Sequence, residues 1–114
     1  MELPGYVEKA IPELTGVMKE SKSLNAYEVV RHLVTYTSSQ IVKHNMNAAK
    51  KCLALAEQLY NKGNDVVRNA IENVYVYSFS HAFLCDESKK NEVMGIVPST
   101  LYALYKKQVI NSHL

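Results

Sequence analysis

The segment from Asp65 to Cys85 most constrains the fold of this chain, because it contains neither glycine nor proline. Within it, ENVYVYSFSHAF at 72–83 alternates valine with tyrosine, as a β-strand often does. A strand here would have to begin inside a helical run without a turn signal. It would also lack a partner strand for its backbone groups. We therefore predict a helix over about 65–85.

The predicted helix presents one face to the core. The residues at helical spacing on that face are Val67, Ala70, Ile71, Val74, Tyr77, Ser78 and His81. Beyond Val74 the segment is apolar on nearly all sides, which is typical of a helix surrounded by others. The sequence thus predicts a buried central helix.

Three elements are predicted before residue 45. A short helix ends near Ala10, because Pro12 disfavours helix in the residue before it. A second turn or helix follows, with Pro12 in its first turn. Asn25 and Glu28 form a capping-box-like start to the next helix, which runs to about His44.

The boundaries of the later helices follow from glycine, asparagine and proline. Gly63 is expected to adopt the left-handed conformation that ends a helix. Asn64 or Asp65 then caps the central helix. A short helix is expected from Asp86 to Gly95. The last helix opens at Pro98 or Ser99 and turns these residues inward: Leu101, Leu104, Tyr105 and Val109.

These elements predict an all-α fold, a bundle of five to six mostly antiparallel helices in one domain spanning 1–114. The composition agrees, since 114 residues with 47% hydrophobic and 21% charged content suit one globular core. Neither a disulfide framework nor a zinc knuckle is indicated by Cys52 and Cys85, which form no CxxC pair. We expect a cytoplasmic chain with no secretory signal and no membrane span.

Catalysis is not expected. His81 and Cys85 lie four residues apart and could hold two corners of a metal site, but further ligands at suitable spacing are missing. Glu72 has no acidic partner for acid–base work, and it is expected to pair with Arg68 or Arg31. We therefore predict no enzyme activity, no cofactor and no metal, with a small-ligand or metal site near His81 and Cys85 as the alternative.

Nucleic-acid binding is a weaker alternative. The net charge is only +2, and the densest positive positions are three lysine doublets at 50–51, 89–90 and 106–107. They are expected to be solvated helix faces, and they could bind nucleic acid only if they converged on one surface. No membrane partner is expected.

Eight tyrosines without any tryptophan are the unusual feature of the composition. Tyrosine suits both half-wet cores and protein interfaces, because a large apolar ring carries a hydroxyl that needs a partner. The predicted partner-binding residues are Tyr75, Tyr77, Tyr102 and Tyr105. The alternative is that their rings are partly buried and their hydroxyls bond water.

Two stretches, ALAEQLYNKGNDVVRNAIENVYVYSFSHAFL at 54–84 and VPSTLYALYKKQV at 97–109, together with Pro12-Glu13-Leu14, resemble a family of small uncharacterised all-helical bacterial proteins. The resemblance spans nearly the whole chain and carries no catalytic motif. It implies a helical fold and an association with toxin immunity. The missing catalytic constellation, the tyrosine surplus and the compact size lead us to expect a protein-binding module, and the resemblance implies an immunity-type partner of another bacterial protein. The sequence leaves both a monomer and a homodimer open.

Overall fold

Helices make up nearly all of the chain that the computed structural model describes, namely residues 3–14, 25–84 and 87–112. No strand occurs in these ranges, which confirms the predicted all-α fold. In chain order the elements are α1 (Leu3–Ala10), a 3₁₀ turn (Pro12–Leu14), α2 (Ala26–Val42), α3 (Met46–Lys62), α4 (65–84), α5 (Glu87–Val93), a 3₁₀ turn (Met94–Ile96) and α6 (Ser99–Ser112).

The start of α2 confirms the predicted capping box. The backbone N–H of Glu28 donates to Asn25 Oδ1 at 2.9 Å. In return, Asn25 Nδ2 donates to the Glu28 carboxylate at 3.3 Å. The side chain of Asn25 therefore satisfies a backbone donor that the first turn of the helix leaves unpaired.

The end of α2 contains the left-handed residue that was expected elsewhere. His44 has φ 60°, which is uncommon for a residue other than glycine. Its N–H donates to the Ile41 carbonyl at 2.9 Å, and the next N–H, of Asn45, donates to the Gln40 carbonyl at 2.8 Å. This pair of bonds is the Schellman arrangement, and it turns the chain from α2 into α3.

Gly63 ends α3 in an extended conformation, with φ −78° and ψ 164°, so the prediction of a left-handed residue here is wrong. Glycine is required for a different reason. A Cβ at this position would lie 2.5 Å from the Leu59 carbonyl oxygen and 2.6 Å from Val67 Cγ1. The missing side chain lets α4 start directly against the end of α3. Asn64 then caps α4 as predicted, since its Oδ1 accepts from the Val67 N–H at 3.0 Å.

The central helix α4 is not regular. It consists of α-helical and π-helical segments in alternation: Asp65–Ala70 (α), Ile71–Val76 (π), Tyr77–Phe79 (α) and Ser80–Leu84 (π). In an α-helix, the side chain at position i+4 points about 40° away from the side chain at position i when viewed along the helix axis. A π-helical turn is wider, with bonds from i to i+5, and so reduces this drift.

Because of the wide turns, side chains spaced four residues apart form one ridge that faces the core over the whole length of α4. Its members are all buried: Val67, Ile71, Tyr75, Phe79 and Phe83. The predicted inward face assumed regular α-helix and is wrong beyond Ile71. Tyr77 and His81 are exposed, and Val74 and Ser78 are partly buried.

Helix α4 is nevertheless the centre of the bundle, because it contacts α2, α3, α5 and α6. The connections from α2 to α3 and from α3 to α4 are so short that each helix reverses the direction of the one before it. The expectation that α4 is enclosed on all sides holds only in part. One stripe of α4 remains in solvent, and it consists of Asn69, Asn73, Tyr77 and His81.

Polar contacts fix α6 at both ends. Glu57 of α3 accepts from the Thr100 N–H at 2.7 Å and so caps the first turn of α6 from a neighbouring helix. Near the other end, Gln108 donates to the Glu72 carbonyl at 2.6 Å, and Lys107 pairs with the Glu72 carboxylate at 3.2 Å. Glu72 therefore pairs with α6 rather than with Arg68 or Arg31.

The predicted short helix before α6 is partly confirmed. Its expected first residue, Asp86, lies outside the described residues. Helix α5 ends at Val93, and Gly95 lies inside the following 3₁₀ turn rather than just past a helix end.

Candidate functional site

Tyr75 is a core residue rather than a contact residue. Only 1% of it is exposed, and its hydroxyl lies 2.9 Å from Thr37 Oγ1. The single hydroxyl proton of Thr37 goes to the Leu33 carbonyl at 2.7 Å, so the Tyr75 hydroxyl is the donor to Thr37. Burial raises the pKa of the Tyr75 hydroxyl well above its ordinary value. The side chain in this structure offers no surface to a partner.

Tyr77, in contrast, is 54% exposed. Its ring packs against the His81 ring one turn later, with centroids 4.4 Å apart and planes inclined by 51°. The contact holds a large aromatic side chain in place on the solvent side of α4. This arrangement costs less side-chain entropy on binding than a freely rotating tyrosine would.

Tyr102 and Tyr105 form an aromatic pair on α6, with ring centroids 6.1 Å apart in an edge-to-face arrangement. Both are partly buried. The ammonium of Lys106 lies 5.4 Å from the centroid of the Tyr102 ring, within the range of a cation–π contact. Beside this pair lies an open cleft of about 240 Å³ between α5 and α6, here named the α5–α6 cleft, lined by Lys90, Tyr105, Lys106 and Val109.

The α5–α6 cleft is positively charged. It brings together one lysine from each of two predicted doublets, Lys90 and Lys106. Neither forms an ion pair with a carboxylate of the described residues. Lys107, the other member of its doublet, is paired with Glu72. The side chain of Lys89 lies outside the described part.

The third doublet, Lys50 and Lys51, is exposed on α3 and does not line this cleft. Nucleic-acid binding was predicted to need all three lysine doublets on one surface. At most two of them contribute to this cleft. The cleft itself could not be found from the sequence, because Lys90 and Lys106 lie on different helices and only the tertiary fold brings both to one cleft.

Of the alternative site at His81 and Cys85, the structure describes only His81. Cys85 lies outside the described residues, and His81 is exposed beside Tyr77. Within residues 3–14, 25–84 and 87–112, no three histidine, cysteine, aspartate or glutamate side chains are grouped so that they could hold a metal ion.

A second open pocket, of about 270 Å³, lies against α2 and contains Glu13, His32 and Tyr36. The Tyr36 hydroxyl donates to Glu13 Oε2 at 3.3 Å. Partial burial raises the pKa of Tyr36, and the Glu13 charge adds to this effect. The contact joins the 3₁₀ turn after α1 to α2, which is a structural role, and no sequence pattern indicated it.

The fold and the surface described above define a small all-α protein with a basic, tyrosine-flanked cleft. The chain belongs to the family described as a domain of unknown function, DUF7674, whose model matches residues 4–111. The match agrees with the predicted resemblance to an uncharacterised family. No curated protein and no solved structure matches the chain. Among the described residues, no helix is both long and apolar enough to cross a membrane.

Proposed function

We propose that this chain is a protein-binding module without catalytic activity, and that the α5–α6 cleft with its flanking Tyr102 is the binding surface. The observation that carries the proposal is that Tyr105 and Val109 line an open cleft, with the Tyr102 ring paired to the Tyr105 ring beside it. Tyrosines at the centre of an apolar concave surface are the residues that most often dominate the energy of a protein interface.

The rigidity of this surface also supports the proposal. Helix α6 is fixed by Glu57 at its start and by Glu72 near its end. The two tyrosines contact each other, so their rings are already ordered before a partner arrives. Less conformational entropy is then lost on binding, and more of the contact energy appears as affinity.

The finer role that we propose is that of an immunity-type partner, a small bacterial protein that binds another protein in the cytoplasm and blocks it. The support for this role is the compact helical fold together with the resemblance of the sequence to bacterial helical proteins associated with immunity. The half-exposed Tyr77 on α4 provides a second surface, which suits either the same partner or a second copy of this chain.

A comparative pull-down tests the proposal. Tagged wild-type chain and the Tyr102→Ala variant are incubated with lysate of the source cells, and proteins that survive a salt wash are identified by mass spectrometry. We expect one stoichiometric partner with the wild type. Binding of the purified partner should be at least about tenfold weaker for Tyr102→Ala, as for a tyrosine that contributes more than about 1.4 kcal/mol.

Tyr27→Ala is the matched control, because Tyr27 is 37% exposed on α2, away from the cleft. It should bind the partner as the wild type does. Tyr77→Ala separates the two candidate surfaces. Recovery of no stoichiometric protein would contradict the proposal of a binding module, and equal loss of binding in Tyr27→Ala and Tyr102→Ala would contradict the assignment of the surface.

A further inference from the structure

The α5–α6 cleft has the chemistry of a site for an acidic peptide. We infer that it binds an acidic polypeptide segment of the partner, in which carboxylates flank an apolar side chain. The inference rests on the proposed function and specifies the chemistry of the partner. It is carried by the pairing of two cations, Lys90 and Lys106, with an apolar lining supplied by Tyr105 and Val109.

The two lysines come from different helices. Lys90 is on α5 and Lys106 is on α6, so each helix contributes one cation to the lining of the cleft. A segment that lies in the cleft can therefore place one carboxylate at each lysine. The contact between Lys106 and the Tyr102 ring restricts the ammonium before binding, which lowers the entropic cost of an ion pair there.

The rest of the cleft lining is apolar. Tyr105 is partly buried with its ring against Tyr102, and Val109 lies one turn further along α6. Burial of an apolar side chain here provides affinity that an exposed ion pair alone would not, because surface ion pairs contribute at most about 1 kcal/mol. The volume of about 240 Å³ is below the usual range for small-molecule pockets and suits one or two peptide side chains.

Charge distinguishes an acidic peptide from a nucleic acid as the occupant. Proteins that bind duplex DNA commonly contact about 6–10 phosphates. The cleft has two lysines, the third nearby cation, Lys107, is paired with Glu72, and the chain as a whole carries only +2. A short acidic segment of two or three carboxylates matches this number of cations, whereas a polyanion does not.

The experiment is a selection of displayed random peptides on the full-length chain, followed by fluorescence polarisation with the enriched peptide. The test variant is Lys90→Glu with Lys106→Glu. The matched control is Lys50→Glu with Lys51→Glu, which makes the same change of net charge on exposed positions of α3. Thermal unfolding of both variants verifies that they fold. An oligothymidylate of the same charge as the peptide is the competing polyanion.

We expect enriched peptides in which Asp or Glu flanks an apolar residue, and a loss of affinity of at least about tenfold in the cleft variant. The α3 variant should lose less than about threefold, the effect of a change in net charge alone. Enriched peptides without acidic residues, or equal losses in the two variants, would overturn the inference while leaving the proposed function in place. Tighter binding of the oligothymidylate than of the peptide would also overturn it. Failure to enrich any peptide would count against the inference, whereas the pull-down alone decides the proposed function.

Discussion

At the scale of single residues, one buried polar group joins two helices. Thr37 of α2 accepts from the Tyr75 hydroxyl of α4 and donates to the Leu33 carbonyl. The Cys52 thiol of α3 is buried in the same core, and this burial raises its pKa. The one hydroxyl of Thr37 thus has its donor and acceptor positions used within an otherwise apolar core.

Removing either partner of the Thr37–Tyr75 bond should have unequal effects. In Thr37→Val the Tyr75 hydroxyl keeps its proton but loses its acceptor in a buried site, so we expect a loss of roughly 1–3 kcal/mol in the free energy of unfolding. In Tyr75→Phe the Thr37 hydroxyl still donates to Leu33, and the loss should be about 1 kcal/mol. Urea unfolding of both variants and of the double variant measures this. Strictly additive losses in the double variant would contradict the described bond.

The same tyrosine should make stability depend on alkaline pH. Because the folded-state pKa of Tyr75 is raised above 10.0, the folded protein keeps a proton that the unfolded chain releases above that pH. Its contribution is constant below about pH 10 and falls by about 1.4 kcal/mol per pH unit above it. Between pH 8 and pH 11, the free energy of unfolding of the wild type should therefore fall by about 1.4 kcal/mol more than that of Tyr75→Phe. A constant difference would contradict the burial of this hydroxyl.

At the scale of elements, most of the helices could be predicted from the sequence, and the register of α4 could not. Periodicity and the caps at Asn25 and Asn64 gave the number of helices and most of their ends, because these signals are local. The π-helical turns of α4 depend on packing against neighbours, and no residue pattern predicts them. The same holds for Gly63, where the close approach of α4 excludes a Cβ, and for His44, whose left-handed conformation closes the turn from α2 into α3.

The register of α4 can be tested by a pair of substitutions. Phe79 is 5% exposed on the core ridge and Tyr77 is 54% exposed beside it. Phe79→Ala should cost about 3–5 kcal/mol of stability, because it leaves a cavity. Tyr77→Ala should cost less than about 1 kcal/mol. Chemical denaturation measures both. A larger loss for Tyr77→Ala would support the regular α-helical register and contradict the π-helical one.

The contact between the end of α3 and the start of α4 provides another prediction. In Gly63→Ala the new Cβ would meet the Leu59 carbonyl and Val67 at less than 3 Å, so the helices must move apart. We expect a loss of roughly 1–3 kcal/mol in the free energy of unfolding. The nearby exposed Asn61→Ala is the control and should change stability by less than about 0.5 kcal/mol. A neutral Gly63→Ala variant would contradict the close approach of the two helices.

At the scale of the whole molecule, folding separates the four predicted contact tyrosines. Tyr75 enters the core, Tyr77 remains on the solvent side of α4, and Tyr102 and Tyr105 flank the α5–α6 cleft. The residue type was a useful guide to the candidate surface, since three of the four retain exposure. The positive charge of the cleft emerges only from tertiary packing, which relates Lys90 to Lys106.

The most direct test of the proposed cleft is hydrogen exchange of the chain alone and with the recovered partner, measured by mass spectrometry. We expect slower exchange on binding to be concentrated in 90–109, the segment that contains Lys90, Tyr102, Tyr105 and Lys106. Protection confined to 69–81, around Tyr77, would assign binding to α4 and contradict the proposed cleft. Unchanged exchange throughout 90–109 in a saturated complex would contradict it as well.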